Sequence, residues 1–241
     1  MDDKIQGFVI QSIRYGDNSL IVKVFTRSLG LRSYMVKGAF NRGSGSRVAL
    51  FQHLNFIQYV EAGKPNKGNL HYLKDVQLSL VYQSIPSTIN KSVILMYISE
   101  LLSKTITEEA PNTALFDFVR NSMQWLDLVE SGYANFPLFF TLELTRQLGF
   151  YPKANPQEGG CFDMMEGLFT PDYPMHPYYL DATDASRLDA LLDLGIDEAC
   201  RLSMSTSQRR SLLDGLLTYV RLHAPVASPF HAHEILKTVL E

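Results

Sequence analysis

Along the first eighty residues, short runs rich in β-branched and aromatic side chains alternate with turn residues, the spacing of an all-β module. Five strands are predicted, at 5–15, 20–26, 31–37, 54–60 and 70–78. Gly16-Asp17-Asn18 and Ser28-Leu29-Gly30 supply two tight turns, and loops rich in Gly and Ser or in Lys and Pro supply the longer connections. Five short strands with unequal loops fit an OB-type β-barrel. From Val81 onward the apolar period lengthens to that of helices, with Val93, Ile94, Tyr97, Ile98, Leu101 and Leu102 in one stripe. A second helix is predicted from Thr113 and a third near Asn135. Others are expected over 183–194 with Thr183 and Asp184 as caps, over 207–223, and after Ser228 and Pro229. Between them, 151–180 is rich in Pro, Gly and Tyr and has no sustained period, so it reads as an irregular, ordered excursion. The fold class is therefore α+β in two domains: a barrel over 1–80 and a compact helical domain over 81–241.

The two-residue period of a strand sorts the barrel side chains. In the second strand Leu20, Val22 and Val24 share one face and Ile21, Lys23 and Phe25 the other; in the third, Arg32 and Tyr34 lie on one side. A cation beside an aromatic ring suits a single nucleic-acid strand, whose bases stack on rings while cations follow its phosphates. Tyr34 fits the barrel core equally well.

Charge sharpens this picture. The net charge of −3 conceals a division: residues 1–80 hold 11 Lys or Arg against 5 Asp or Glu, and the remainder 11 against 20. No acidic residue occurs between Asp17 and Glu61, while Lys23, Arg27, Arg32, Lys37, Arg42 and Arg47 recur about every five positions. Such a module suits a polyanion, the alternative being the ordinary solvated face of a sheet. The stretch from Phe40 to Arg47 holds two glycines and two serines between its arginines and is expected to be a mobile basic loop. The candidate nucleic-acid-binding residues are thus Lys23, Arg27, Arg32, Tyr34, Lys37, Arg42 and Arg47.

Other classes find little support. No apolar run approaches the ~18 residues of a membrane span, and the start of the chain lacks the pattern of a secretory signal, so a cytoplasmic protein is expected. Cys161 and Cys200 are too far apart for a redox or zinc motif and read as reduced structural thiols. GxxxxGK[ST], Gly-x-Ser-x-Gly and His-Glu-x-x-His are all missing, so neither ATP hydrolysis nor other catalysis is expected, and no cofactor.

The chain resembles the RecO family of DNA repair proteins at Gly7-Phe8-Val9-Ile10, Tyr15-Gly16-Asp17-Asn18-Ser19-Leu20, Phe25-Thr26-Arg27, Gly30 and Val36-Lys37-Gly38-Ala39. Ile98-Ser99-Glu100-Leu101-Leu102, Thr141-Leu142-Glu143-Leu144, Leu148-Gly149-Phe150 and Gly159-Gly160-Cys161 extend the match across nearly the whole chain. The resemblance implies a recombination mediator that binds single- and double-stranded DNA, anneals complementary strands and helps replace single-strand-binding protein with recombinase. It implies RecR and the acidic tail of single-strand-binding protein as partners and, for a bacterial protein, a place at the nucleoid. A protein-docking adaptor whose barrel binds protein is the alternative.

Two departures from the family pattern stand out. Many members carry four cysteines in the excursion, whereas here only Cys161 remains, with Pro156 and Gln157 where a first pair is expected; a degenerate, metal-free finger held by packing is predicted. Some members carry a basic pair, gripping the tail's terminal carboxylate, where this chain has Leu138 and Phe139. Tail binding would then rely on other cations, such as Lys104 or Arg146, or be weaker, and the two apolar residues either complete a helix core or line a docking groove.

Overall fold

The computed structural model describes residues 4–41, 45–62, 70–107, 109–153 and 160–239. These fall into two compact units, Met1–Ser87 with Ile106–Gln124, and Thr88–Thr105 with Trp125–Glu241.

The first unit is built on a closed five-stranded barrel of the OB type. Its strands are β1 (Ile5–Tyr15), β2 (Ser19–Thr26), β3 (Gly30–Lys37), β4 (Phe56–Ala62) and β5 (His71–Leu78), in the order β1-β2-β3-β5-β4. Four of the five pairings are antiparallel. The fifth, between β3 and β5, is parallel and only two residue pairs long, Tyr34 with His71 and Met35 with Tyr72. Alternation along the strands sends Val9, Leu20, Val22, Val24, Tyr34, Val36, Ile57 and Tyr59 into one interior cluster, closed at one end by Phe51 and by Val48 and Leu50 of a short helix, α1 (Gly45–Leu50). α1 replaces part of the loop expected over 40–47, because Val48 and Leu50 cover apolar barrel surface. The fourth strand starts at Phe56 and not at 54. Leu54 takes a positive φ of 58° and turns the chain so that its N–H donates to the Val9 carbonyl at 2.8 Å.

The barrel also has a covered outer face. Phe8, Phe25 and Phe56 project outward from β1, β2 and β4, with the Phe8 centroid 5.4 Å from Phe25 and 5.5 Å from Phe56. Phe116 of α3 (Thr113–Leu128) lies over them, 5.8 Å from Phe8 and 5.9 Å from Phe56. A helix that the sequence groups with the C-terminal half therefore contributes its first three turns to the barrel unit. Gly30 lets the approaching segment close in: its φ is 72°, and a Cβ there would lie 1.9 Å from the Glu109 carbonyl oxygen.

The second unit contains α2 (Ile89–Thr105), α4 (Phe136–Gln147), α5 (Ala182–Leu191), α6 (Ile196–Arg201), α7 (Thr206–His223) and α8 (Ala232–Val239). α5 is capped by Asp181, whose carboxylate accepts from the Thr183 and Asp184 N–H groups, so the cap lies just before the expected Thr183 and Asp184. Ser205 and Gln208 form a reciprocal capping box at the start of α7. The excursion is more regular than its composition suggests. It carries a three-stranded sheet, β7-β6-β8, from β6 (Cys161–Asp163), β7 (Leu168–Thr170) and β8 (Tyr179–Leu180). Its packing is aromatic: Phe162 meets Phe169 at 5.1 Å and Tyr219 of α7 at 5.4 Å, and the Tyr219 hydroxyl donates to the Phe150 carbonyl at 2.6 Å.

Candidate nucleic-acid interface

Because β3 and β5 pair over only two residues, they part beyond Met35 and Tyr72, and the gap between them becomes a cleft of about 420 Å³. Lys37 and Lys74 stand on the two parting strands, and α1 brings Arg47 and Phe51 to the same rim. The Lys37 ammonium lies 4.7 Å from the centre of the Tyr72 ring. Asp75 is the one carboxylate among the lining residues, and Lys37, Arg47 and Lys74 form no ion pair among the described residues. Three exposed cations around one opening can meet the phosphates of a backbone without first breaking an ion pair to a described residue.

The seven sequence candidates do not form one site. Lys37 and Arg47 line the cleft. Lys23 stands exposed on the outer face of β2, opposite Gln11 and Ser33. Arg32 is exposed five residues before Lys37 on the same strand, hence about 16 Å away, with its Nε donating to the Leu29 carbonyl. Arg42 lies outside the described residues.

Two candidates are corrected. Arg27 donates from Nε and Nη2 to both carboxylate oxygens of Asp117 at 3.0 and 2.9 Å, which neutralises its charge and holds the Asp117 carboxyl below its ordinary range. Tyr34 cannot stack on a base, because it is fully buried. Its hydroxyl accepts from Tyr59 at 2.6 Å and donates to Glu61 at 2.7 Å, and burial pushes its own ionisation well above the usual phenol value.

Sequence reasoning missed Tyr72 and Lys74. Both lie in a predicted strand, but beyond Glu61, where the acid-free stretch ends, and only the parallel register with β3 carries them to Lys37. Arg14 was missed too; its guanidinium lies 4.7 Å from the Phe40 ring centre and donates to the Gly16 and Asp17 carbonyls, bracing the β1–β2 turn.

A family model described as Recombination protein O N terminal matches residues 1–82, and one described as Recombination protein O C terminal matches residues 86–229. The chain belongs to the RecO family. It is 37% identical over 240 residues, 99% of both chains, to the DNA repair protein RecO of Flavobacterium psychrophilum, and 35% identical over 99% of both to that of Flavobacterium johnsoniae. The DNA repair protein RecO of Phocaeicola vulgatus is 32% identical over 98% of both chains. The barrel of this RecO family member falls within the N-terminal match. Among the described residues no helix is long and apolar enough to cross a membrane.

Two further RecO features can be placed. A zinc finger does not fit the residues present: Cys161 is buried with its thiol donating to the Asp172 carbonyl, and no group of three or more His, Cys, Asp or Glu among the described residues is arranged to hold a metal. Pro156 and Gln157 lie outside the described residues. The apolar pair that replaces the basic pair of some RecO proteins is core, Leu138 2% and Phe139 8% exposed. Neither expected substitute cation is available. Lys104 pairs with Glu100 at 2.9 Å, and Arg146 is held by Glu143, by Asp193 at 2.7 Å and by the Tyr151 ring at 3.5 Å.

Proposed function

We propose that this RecO family protein acts in DNA repair as a recombination mediator without catalytic turnover, holding single- and double-stranded DNA through the barrel. The observation that carries the reading is the cleft where β3 and β5 part, with Lys37, Arg47 and Lys74 at its rim. These cations neutralise backbone phosphates and read no sequence. Neutralising one strand lowers the repulsion that a second strand meets, so complementary strands anneal without bond chemistry. The same binding assists loading of recombinase on strands covered by single-strand-binding protein, with RecR as a second partner, and places the protein at the nucleoid in the cytoplasm.

The acidic tail of single-strand-binding protein docks, on this reading, in a groove walled by Pro137, Leu138, Leu213 and Leu236. Arg209 and Arg210 line it, donating to the Met204 and Lys237 carbonyls and forming no ion pair among the described residues, and the Arg210 Nε is buried with no hydrogen-bond partner among them. Apolar walls beside two unneutralised guanidinium groups suit an acidic peptide that ends in an apolar residue and a free carboxylate.

The test is fluorescence anisotropy with a labelled mixed-sequence single strand at several salt concentrations. Replacing Lys37, Arg47 and Lys74 together by Ala is expected to weaken binding of all sequences and to flatten the plot of log affinity against log salt by about 2, at ~0.7 per phosphate contact on a single strand. Unchanged affinity and slope in the folded variant overturn the proposed site. For the tail, Arg210→Ala is expected to lower affinity for a free acidic C-terminal peptide at least about tenfold, while amidating the peptide's carboxylate produces a similar loss; a peptide indifferent to both changes docks elsewhere.

A further inference from the structure

The strand register places a second feature beside the cleft. Ile13 of β1 pairs with Ile21 of β2, Ile21 with Met35 of β3, and Met35 with Tyr72 of β5. All four have the parity of Lys23 and Lys37, whereas the alternate residues Val22, Tyr34 and Val36 fill the interior, so the four form one row across the outside of the barrel. At about 4.8 Å between strands the row runs ~14 Å. Another part of the outer face is covered, by Phe116 over Phe8 and Phe56. In this row Ile13 is 49% exposed, and Ile21, Met35 and Tyr72 are each partly exposed.

Rows of different character flank it. On one side Gln11, Lys23 and Ser33 stand opposite one another; on the other, Tyr15, Ser19 and Lys37 do, with Tyr15 56% exposed and Lys74 and Arg47 adjoining at the cleft. No acidic residue occurs between Asp17 and Glu61, which includes all of β2 and β3. An apolar track with Lys23 on one side and Lys37, Arg47 and Lys74 on the other matches a ligand with flat apolar faces and flanking negative charges. A protein surface meeting the same row would have to supply acidic groups on both sides of an apolar ridge.

We propose that this row, Ile13–Ile21–Met35–Tyr72, is where the barrel receives the bases of a single strand, the flanking cations taking its phosphates. The proposal rests on nucleic-acid binding by the barrel and adds the discrimination between strand forms. A duplex keeps its base faces stacked inside and meets only the cations. A single strand gains van der Waals contact of base faces with Ile13, Ile21 and Met35 and stacking on Tyr72, while its pairing edges stay free for a complementary strand.

The experiment compares three labelled probes of equal length at one salt concentration: a mixed-sequence strand, a strand of abasic sugar phosphates with the same charge, and a duplex. The unaltered protein is expected to bind the base-bearing strand at least about tenfold more tightly than the abasic one. Ile13→Ser with Met35→Ser should bring the two within about threefold while leaving abasic-strand and duplex affinity and their salt slopes unchanged. Equal affinity of the unaltered protein for the base-bearing and abasic strands overturns the inference alone and leaves phosphate binding intact. A folded double variant that keeps full preference for bases also overturns it and leaves the row as a protein-docking surface. If no probe binds even at low salt, the reading of the barrel as a nucleic-acid module falls, and the inference with it.

Discussion

Tyr34 and Lys37 are three residues apart on β3, and the odd spacing decides their fates: one points into the barrel, the other out. Tyr34 is the middle of a chain in which the Tyr59 hydroxyl donates to Tyr34 and Tyr34 donates to the Glu61 carboxylate. Tyr34→Phe removes a buried hydroxyl that both accepts from Tyr59 and donates to Glu61, and is expected to destabilise the protein by about 1–3 kcal/mol in urea unfolding while leaving DNA affinity unchanged. Loss of DNA affinity in the folded Tyr34→Phe protein contradicts its assignment to the core. The same alternation was legible in the sequence, and it correctly set Leu20, Val22 and Val24 apart from Lys23. It left Tyr34 undecided because a phenol serves a stacking surface and a polar core network equally well, and only the neighbour across the barrel, Tyr59, resolves it. Arg27 misled for a different reason. Its partner Asp117 lies 90 residues away in sequence, and a stretch free of local carboxylates says nothing about distant ones.

At the level of elements, α8 shows how one carboxylate can anchor a helix. Glu100 of α2 accepts from the His231 N–H at 2.9 Å and the Ala232 N–H at 2.7 Å, the unsatisfied donors at the start of α8, and pairs with Lys104. Burial by itself would raise the Glu100 carboxyl, but the hydrogen bonds from Lys104, Ala232 and His231 outweigh it and leave it below the ordinary carboxylate value. A folded value below the unfolded one, ~4.3, contributes stability that is complete above that unfolded value and lost as pH falls through the folded one. Hydrogen exchange in α8 is therefore expected to quicken, relative to α2, below about pH 4, and Glu100→Gln should remove most of that acid dependence. An α8 that exchanges in step with α2 down to pH 3 contradicts the anchor.

All five barrel strands were legible, because turn residues punctuate them and β-branched residues fill them; α1 and α6 were not. Each has six residues, too few for a 3.6-residue period to declare itself, and α1 sits in a Gly- and Ser-rich stretch whose composition argues for a loop. The three strands of the excursion have two or three residues each and are equally silent.

Across the whole molecule, the charge division read from composition pointed to the half that holds Lys37, Arg47 and Lys74, but the geometry of the cleft could not be read, since it depends on a parallel pairing between β3 and β5 across some forty residues of chain. The missing cysteines were legible and carry their own expectation: a chelator such as EDTA should leave the unfolding temperature unchanged, because aromatic packing around Phe162 and Tyr219 holds the excursion. A fall of several degrees would reveal a structural metal.

The Phe116 contact has a bearing on how the chain comes off the ribosome. Residues 1–82 include every barrel strand, yet a chain stopped there would bare Phe8, Phe25 and Phe56 side by side, a sticky aromatic face with nothing to lie against it. During synthesis the nascent barrel passes through that state until some thirty-five further residues have emerged, an interval of a few seconds at ~5–20 residues per second, and chaperones that recognise exposed aromatic surface have their opportunity then. For the same reason the barrel is a poor candidate for transplantation at its apparent sequence boundary: a soluble fragment would have to carry the beginning of α3 along with it.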